Sequence, residues 1–302
     1  MRAGWAAVVA VAATAGLVGC SQQSASPHEH DGAVTVVAST DVWGSVADAV
    51  VGDHASVTSI VNGTVADPHS FQATPADAAA ITDASLVVYN GGHYDQWVQD
   101  VLANHPDVAA VDAYSLRPDP QGSANEHVFY DPATAKAVAA EIADRLAEAD
   151  PDHADAYRAN AATFGAGADE VLAIERAIAQ AHPGAAVVAT EPVAHYLLAN
   201  AGITDNTPGG FTNAVEEDAD PSPADLAMML DLIEDREVSA VLFNPQTETG
   251  VTRQLREAAT RAGVPVVTVT ETLPEGTDYL SWQRQTAEQL AAQLDTAAKA
   301  GR

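Results

Sequence analysis

Only one cysteine, Cys20, occurs among the 302 residues. A single cysteine excludes an internal disulfide and a metal site built from several thiolates. Basic residues are also scarce: 13 lysines and arginines stand against 42 aspartates and glutamates, giving a formal net charge of −29. Nucleic acid is therefore excluded as a partner, because its phosphates would be repelled. Such a surface concentrates cations, but charge alone does not show that the protein binds a metal.

The apolar run near the N-terminus, AGWAAVVAVAATAG, is too short to span a membrane. It follows a positive start and ends in LVGC at residues 17–20, which resembles a bacterial lipobox. We expect residues 1–19 to be a signal peptide and Cys20 to be lipidated; the alternative is an ordinary signal peptide with a chance cysteine. Residues 20–32 are polar and aperiodic and predict a flexible tether, so the protein should be lipid-anchored at the extracytoplasmic face of the cell membrane.

Short strand-like apolar runs alternate with helical patterns through the rest of the chain. This alternation predicts parallel sheets covered by helices on both faces. It is interrupted by a helical stretch that would extend about 45 Å, longer than one small lobe is wide. We therefore predict an α/β fold with an N-terminal lobe at 33–151, one long linker helix at 152–183 and a C-terminal lobe at 184–302.

Four residues able to bind a metal lie in loops where parallel strands end and helices begin, which is where ligands gather in open sheets. His69 follows the second strand in ADPHSFQATPAD, and His127 lies in NEHVFYDP just before a helix. Glu191 and Glu271 each follow a strand of the C-terminal lobe. Two imidazoles and two carboxylates suit Mn²⁺, Fe²⁺ or Zn²⁺.

Each of these residues also has an ordinary interpretation. His69 and His127 are loop histidines of a kind that more often faces solvent. Glu191 is a charge that a helix dipole would favour. Glu271 has an alternative in Asp278, which lies in the same segment.

Taken together, the motifs resemble the zinc/manganese family of metal-binding lipoproteins that serve bacterial ABC importers, over essentially the whole mature chain. The segments ADPHSFQATPAD, EHVFYDP, TEPVAHYL and VTETLPEGTDYLSW are similar to the four ligand loops of that family. The resemblance implies His69, His127, Glu191 and Glu271 as ligands, although aspartate is usual in the fourth position. A glutamate at 191 and the short segment before His127 favour manganese over zinc, while zinc binds such sites more tightly intrinsically.

The resemblance implies a monomeric binding protein, not an enzyme, that captures a divalent ion between the lobes and delivers it to an ABC permease. A metal-dependent hydrolase is an alternative, but it needs an open water position and a general base. No G-x-S-x-G, H-E-x-x-H or phosphate-loop motif occurs to support one. A siderophore-type binding protein of similar build is a further alternative, and it would be expected to have a cleft lined by aromatic residues. Only 5% of the residues are aromatic, so this alternative is less favoured.

Overall fold

The computed structural model describes Met1 and residues 34–63, 68, 70–119, 122–217 and 219–300. Two predicted functional residues, His69 and Cys20, lie outside the described residues. Residues 33–302 form one compact unit, and Met1–Gly32 belong to a separate unit of which only Met1 is described. Within the described ranges, no helix combines the length and the apolar character needed to cross a membrane.

The first half of this unit is a four-stranded parallel sheet covered by helices. Its strands are β1 (Thr35–Thr40), β2 (Ser56–Val61), β3 (Leu86–Tyr89) and β4 (Ala110–Asp112), in the spatial order β2-β1-β3-β4. The helices are α1 (Asp41–Val51), α2 (Pro75–Asp83), α3 (Gln96–Leu102) and α4 (Pro132–Ala149). The central strands are almost entirely buried and most of their residues are apolar, as expected of parallel strands covered on both faces.

A long helix, α5 (Ala154–Ala181), joins the two halves and confirms the predicted linker. It has 28 residues and continues directly from a 3-10 turn at Pro151–His153. Gly165 and Gly167 lie inside this helix without ending it. The helix packs along α4, so the linker is part of the folded body and not a free connection.

The second half repeats the plan of the first. Its strands are β5 (Ala186–Ala189), β6 (Thr204–Asp205), β7 (Ala240–Phe243) and β8 (Val266–Thr268), all parallel and in the order β6-β5-β7-β8. The helices are α6 (His195–Asn200), α7 (Gly209–Glu216), α8 (Pro223–Glu234), α9 (Gly250–Ala262) and α10 (Tyr279–Ala300). The predicted α/β class with two parallel sheets is therefore confirmed.

Several helices begin with side-chain caps that can be recognised in the sequence. Thr74 and Asp77 form a reciprocal capping box at α2, with Pro75 in the first turn. Asp131 caps α4 through the backbone N–H groups of Ala133 and Thr134. Because the cap fixes where α4 starts, it also fixes the turn just before it, which carries His127.

One apolar core runs through both halves. It contains residues of β1 and β3 together with residues of β5 and β7. The C-terminal helix α10 returns to the first half, where Trp282 packs against the ring of Tyr130 at 5.0 Å between centroids. The hydroxyl of Tyr279 donates to the carbonyl of Phe129 at 2.8 Å. The helix α10 thus connects the second half of the unit to the first.

Candidate metal centre

His127 is oriented by Asn125. The backbone N–H of His127 donates to Asn125 Oδ1 at 2.9 Å, and the ring Nδ1 lies 3.2 Å from the same oxygen. Asn125 Nδ2 donates to the carbonyl of Pro192 at 3.0 Å, which fixes the amide orientation and makes Oδ1 the acceptor. Nδ1 therefore carries the proton, and the lone pair of the neutral ring lies on Nε2.

Glu271 meets His127 at the carboxyl end of β8. Its Oε2 lies 3.8 Å from His127 Nε2, and both side chains are almost wholly buried. The Tyr94 hydroxyl donates to the same oxygen at 3.1 Å. A buried carboxylate is costly without partners, and these contacts supply some of them.

Tyr94 is placed by a tight turn after β3. The carboxylate of Asp95, which is buried, accepts the backbone N–H groups of Asn90 at 2.6 Å and Gly91 at 2.8 Å. Gly91 has a φ of 75°, a conformation that favours glycine. Burial raises the pKa of Asp95 to about 6. This turn brings a tyrosine from the first sheet to a glutamate of the second.

Glu191 follows β5 and is joined to Glu271 through Asn244. The amide nitrogen of Asn244 donates to Glu191 Oε2 at 2.6 Å and to Glu271 Oε1 at 2.9 Å. Asn244 is completely buried, whereas Glu191 is half-buried and borders a cavity of 330 Å³ in the second half. Three of the four predicted ligands thus lie in one connected cluster at facing sheet edges.

The segment that leads to His69 also starts at this cluster. The backbone N–H of Gly63 donates to Asp41 Oδ2 at 3.0 Å, and Gly63 accepts a hydrogen bond from Thr272 Oγ1 at 3.1 Å. Asp41 Oδ1 in turn accepts the backbone N–H of Leu273 at 3.1 Å. The chain just after β2 is therefore attached to the residues that follow Glu271.

Asp278, the sequence-based alternative to Glu271, occupies a different kind of position. It is exposed, and its carboxylate accepts the backbone N–H of Ser281 at 2.8 Å and the Ser281 hydroxyl at 2.9 Å. Its carboxylate therefore accepts hydrogen bonds from the first turn of α10, where the helix dipole favours a negative charge. His195, one turn beyond Glu191, has its pKa lowered by burial.

The arrangement of donors suits a divalent cation. No three His, Cys, Asp or Glu side chains among the described residues are grouped closely enough to hold an ion, and His69 is not among those residues. The Asn244 amide lies between the two carboxylates. An imidazole with its lone pair on Nε2 and two adjacent carboxylates is a donor set used by Zn²⁺, Mn²⁺ and Fe²⁺.

Comparison with known proteins assigns the family. The family model described as zinc-uptake complex component A, periplasmic, matches residues 36–293. The chain belongs to this family. Its relatives in the zinc-uptake family include the manganese-binding lipoprotein MntA of Bacillus subtilis, 31% identical over 172 residues. That match covers 54% of this chain and 55% of the relative. The chain thus spans about half the length of the curated relatives that it matches first.

Solved structures show the same fold in this zinc-uptake family. The laminin-binding protein Lmb of Streptococcus agalactiae, described as having adhesin and metal-transporting activity, is 25% identical with a TM-score of 0.74. The alignment covers 86% of this chain and 99% of Lmb. The zinc-binding protein TroA of Treponema pallidum has a TM-score of 0.75 at 19% identity, covers 87% of this chain and 99% of TroA, and shows the fold alone.

Four polar residues that support the cluster were not predicted from the sequence: Asn125, Tyr94, Asn244 and Gln246. Gln246 Oε1 accepts the backbone N–H of Glu271 at 2.6 Å. One signal was available for Asn244: it follows the buried run AVLF, as Glu191 and Glu271 follow theirs. A search for every polar residue at a strand end, and not only for metal-binding types, would have found it.

Proposed function

We propose that this protein is the binding component of a divalent-metal ABC importer. It captures Mn²⁺ or Zn²⁺, with Fe²⁺ as a further candidate, and delivers the ion to a membrane permease. His69, His127, Glu191 and Glu271 are the proposed ligands. The observation that carries the proposal is the approach of His127 Nε2 to Glu271 Oε2 at 3.8 Å, with the nitrogen lone pair on that side.

Further support comes from the placement of the other two ligands. Glu191 shares the Asn244 amide with Glu271, and Gly63, at the start of the segment leading to His69, contacts Thr272. A full set of four protein ligands leaves little room for a reactive water, so capture fits this set better than hydrolysis does. We therefore propose a binding protein without enzymatic activity, acting as a monomer.

The proposed location is the extracytoplasmic face of the cell membrane, with Cys20 as the lipid attachment point. The relatives named manganese-binding lipoproteins support this location. The acidic surface supports cation capture as well, because no lysine or arginine occurs between Arg2 and Arg117. A region with acidic residues and no basic ones raises the local concentration of divalent ions.

Binding is tested by thermal unfolding of chelator-stripped protein. An ion that binds only the folded state stabilises it by about 4 kcal/mol at a thousandfold excess over Kd. For a chain of this size, that corresponds to a rise in Tm of roughly 6–7 °C. We expect this rise with micromolar Mn²⁺ or Zn²⁺ and none with Mg²⁺.

The matched control distinguishes the proposed centre from surface histidines. His127→Ala should lose most of the rise in Tm, whereas His105→Ala, which changes an exposed histidine on the first half, should keep it. An unchanged Tm of the wild type in all three metals would refute metal capture. Equal shifts in both variants would refute this ligand set.

A further inference from the structure

The loop that leads from β8 to α10 is attached to the first half at two points on helix α1. Asp41 Oδ1 accepts the backbone N–H of Leu273 at 3.1 Å, and Ser45 Oγ accepts the backbone N–H of Tyr279 at 2.9 Å. Asp41 and Ser45 are four residues apart, so they lie on the same face of α1. One helix of the first half therefore holds both ends of this loop, which belongs to the second half.

Each contact gives an acceptor to a backbone group that needs one. Tyr279 is the first residue of α10, where the backbone N–H groups have no carbonyl to bond within the helix. Leu273 is a buried residue outside any strand or helix, and a buried N–H group without an acceptor is costly. The two side chains of α1 are therefore partners that this loop requires.

Between these two points the loop makes a tight turn. The backbone N–H of Thr277 donates to the carbonyl of Pro274 at 3.1 Å, and Gly276, the third residue of the turn, has a φ of 72°. A positive φ at the third residue is typical of a type II turn, and glycine adopts it readily. Proline further restricts the start of the turn. Because the loop is short and stiff, holding its ends fixes its position against α1.

Asp41 uses both of its carboxylate oxygens. Its Oδ2 accepts the backbone N–H of Gly63, just after β2, at 3.0 Å, while Oδ1 accepts that of Leu273. A backbone N–H can only donate, so each partner needs an oxygen. An asparagine side chain has a single oxygen, and its amide nitrogen would face one of the two N–H groups. Asparagine at this position would therefore lose at least one of the two contacts.

Within the second half, Glu271 is held by different contacts. Gln246 Oε1 accepts its backbone N–H at 2.6 Å, and the amide of Asn244 donates to its Oε1 at 2.9 Å. These contacts fix Glu271 relative to the second sheet, whereas His127 belongs to the first half. Contacts between the halves therefore decide how close the two side chains lie, and the contact of Asp41 comes two residues after Glu271.

We propose that Asp41 is a positioning residue that holds the loop after Glu271 against the first half and thereby slows release of the bound ion. Ser45 supports the same loop at its other end. This inference rests on the proposed function and deepens it. Glu271 and His127 come from different halves, so an ion bound by both leaves more slowly when the two side chains are kept together. Asp41 should therefore lower the dissociation rate without supplying a donor atom.

The test measures dissociation of Zn²⁺ from variants of α1. Asp41→Asn removes one acceptor oxygen, and Ser45→Ala removes the acceptor of the second contact. The matched control is Asp48→Asn, which removes one exposed carboxylate from the same helix. Stopped-flow mixing of zinc-loaded protein with excess chelator gives the dissociation rate, and titration against a chromophoric chelator gives Kd. The visible spectrum of Co²⁺-loaded protein reports the geometry of the ligands.

We expect the dissociation rate to rise about tenfold in Asp41→Asn, which loses a hydrogen bond to a charged group, and about fivefold in Ser45→Ala. The rate should stay unchanged in Asp48→Asn. Kd should rise by the same factor as the rate, because association does not depend on these contacts. The cobalt bands should shift in Asp41→Asn, because Glu271 changes its position relative to His127. A residue that only stabilised the fold would lower Tm and leave the cobalt bands unchanged.

An unchanged dissociation rate or an unchanged cobalt spectrum in Asp41→Asn would overturn the inference alone, and so would an equal rise of the rate in Asp48→Asn. If Asp41→Asn does not fold, Ser45→Ala decides, and an unchanged dissociation rate in that variant overturns the inference. Failure of the wild type to bind Zn²⁺ or Co²⁺ would overturn the proposed function, and this inference with it.

Discussion

Glu175 offers a quantitative test of the electrostatics of this fold. It lies on the linker helix α5, is completely buried, and accepts one hydrogen bond, from Asn200 at 3.0 Å. Burial raises its pKa from the ordinary 4.5 to about 8; the hydrogen bond from Asn200 and the charge of Arg176 lower it, and Asp131 raises it. In the folded protein at neutral pH, this carboxyl group is mainly protonated.

The sign of the pH dependence follows from this shift. Between pH 4.5 and about 8, the folded protein holds a proton that the unfolded chain has lost. The contribution of this group to the free energy of unfolding is therefore largest below pH 4.5. It is lost progressively as the pH rises to about 8. At about 1.4 kcal/mol for each pH unit, the loss over the window is about 5 kcal/mol.

Glu175→Gln should remove this dependence, because glutamine has nearly the same shape and no proton to lose. Its carbonyl can still accept from Asn200, while its amide nitrogen costs about 1–3 kcal/mol if it finds no acceptor. We expect the variant to be more stable than wild type at pH 9 by at least about 2 kcal/mol, and less stable or equal at pH 5. Urea unfolding at pH 5, 7 and 9 measures the difference.

The control is Glu170→Gln on the same helix, where the carboxylate is exposed and pairs with Arg284. It should leave the pH dependence unchanged. Comparing variant with wild type at each pH cancels other titrating groups, including Asp95, whose pKa is also raised. If Glu175→Gln and wild type lose stability in parallel from pH 5 to 9, the reasoning about the buried carboxyl is refuted.

Three further predictions concern the anchor, the ligands and a helix cap. Cys20→Ala should move the protein from the membrane fraction to the soluble fraction with metal affinity intact; membrane attachment of the variant would contradict lipidation. His69→Ala combined with His127→Ala should abolish stoichiometric binding in calorimetry, and wild-type affinity should fall between roughly pH 7 and 5 because protons compete for imidazole. Thr74→Ala should cost about 1 kcal/mol in urea unfolding, because it removes the Thr74 hydroxyl that accepts the backbone N–H of Asp77, while the backbone N–H of residue 74 can still donate to Asp77; no change would show that this side-chain cap contributes nothing.

Much of the fold was predictable because its signals are local. The buried parallel strands appear in the sequence as short apolar runs, and capping residues such as Thr74 indicate where helices begin. Two elements gave no such signal. Both residues of Thr204–Asp205 are exposed, so this strand has no apolar pattern. The helix Gly209–Glu216 begins with two glycines, which disfavour a helix, and its one buried residue is Phe211.

The cluster was predictable to the extent that it follows strand ends. His127, Glu191 and Glu271 were predicted from that rule, and the structure brings these three together. The role of Asn244 was not predictable, because it depends on β7 lying between β5 and β8. That spatial order is set by the packing of the whole sheet and cannot be derived from any single segment of the sequence.

The return of α10 to the first half has a consequence for the order of folding during synthesis. Tyr279 and Trp282 complete the packing around Phe129 and Tyr130, although α10 is the last helix that the structure describes. Multidomain chains commonly fold from the N-terminus while the rest is still being made. Here the first sheet and its helices have an uncovered aromatic surface until α10 is also available to pack on it. In an exported chain, whatever protects the first half from aggregation must therefore act until α10 has crossed the membrane as well.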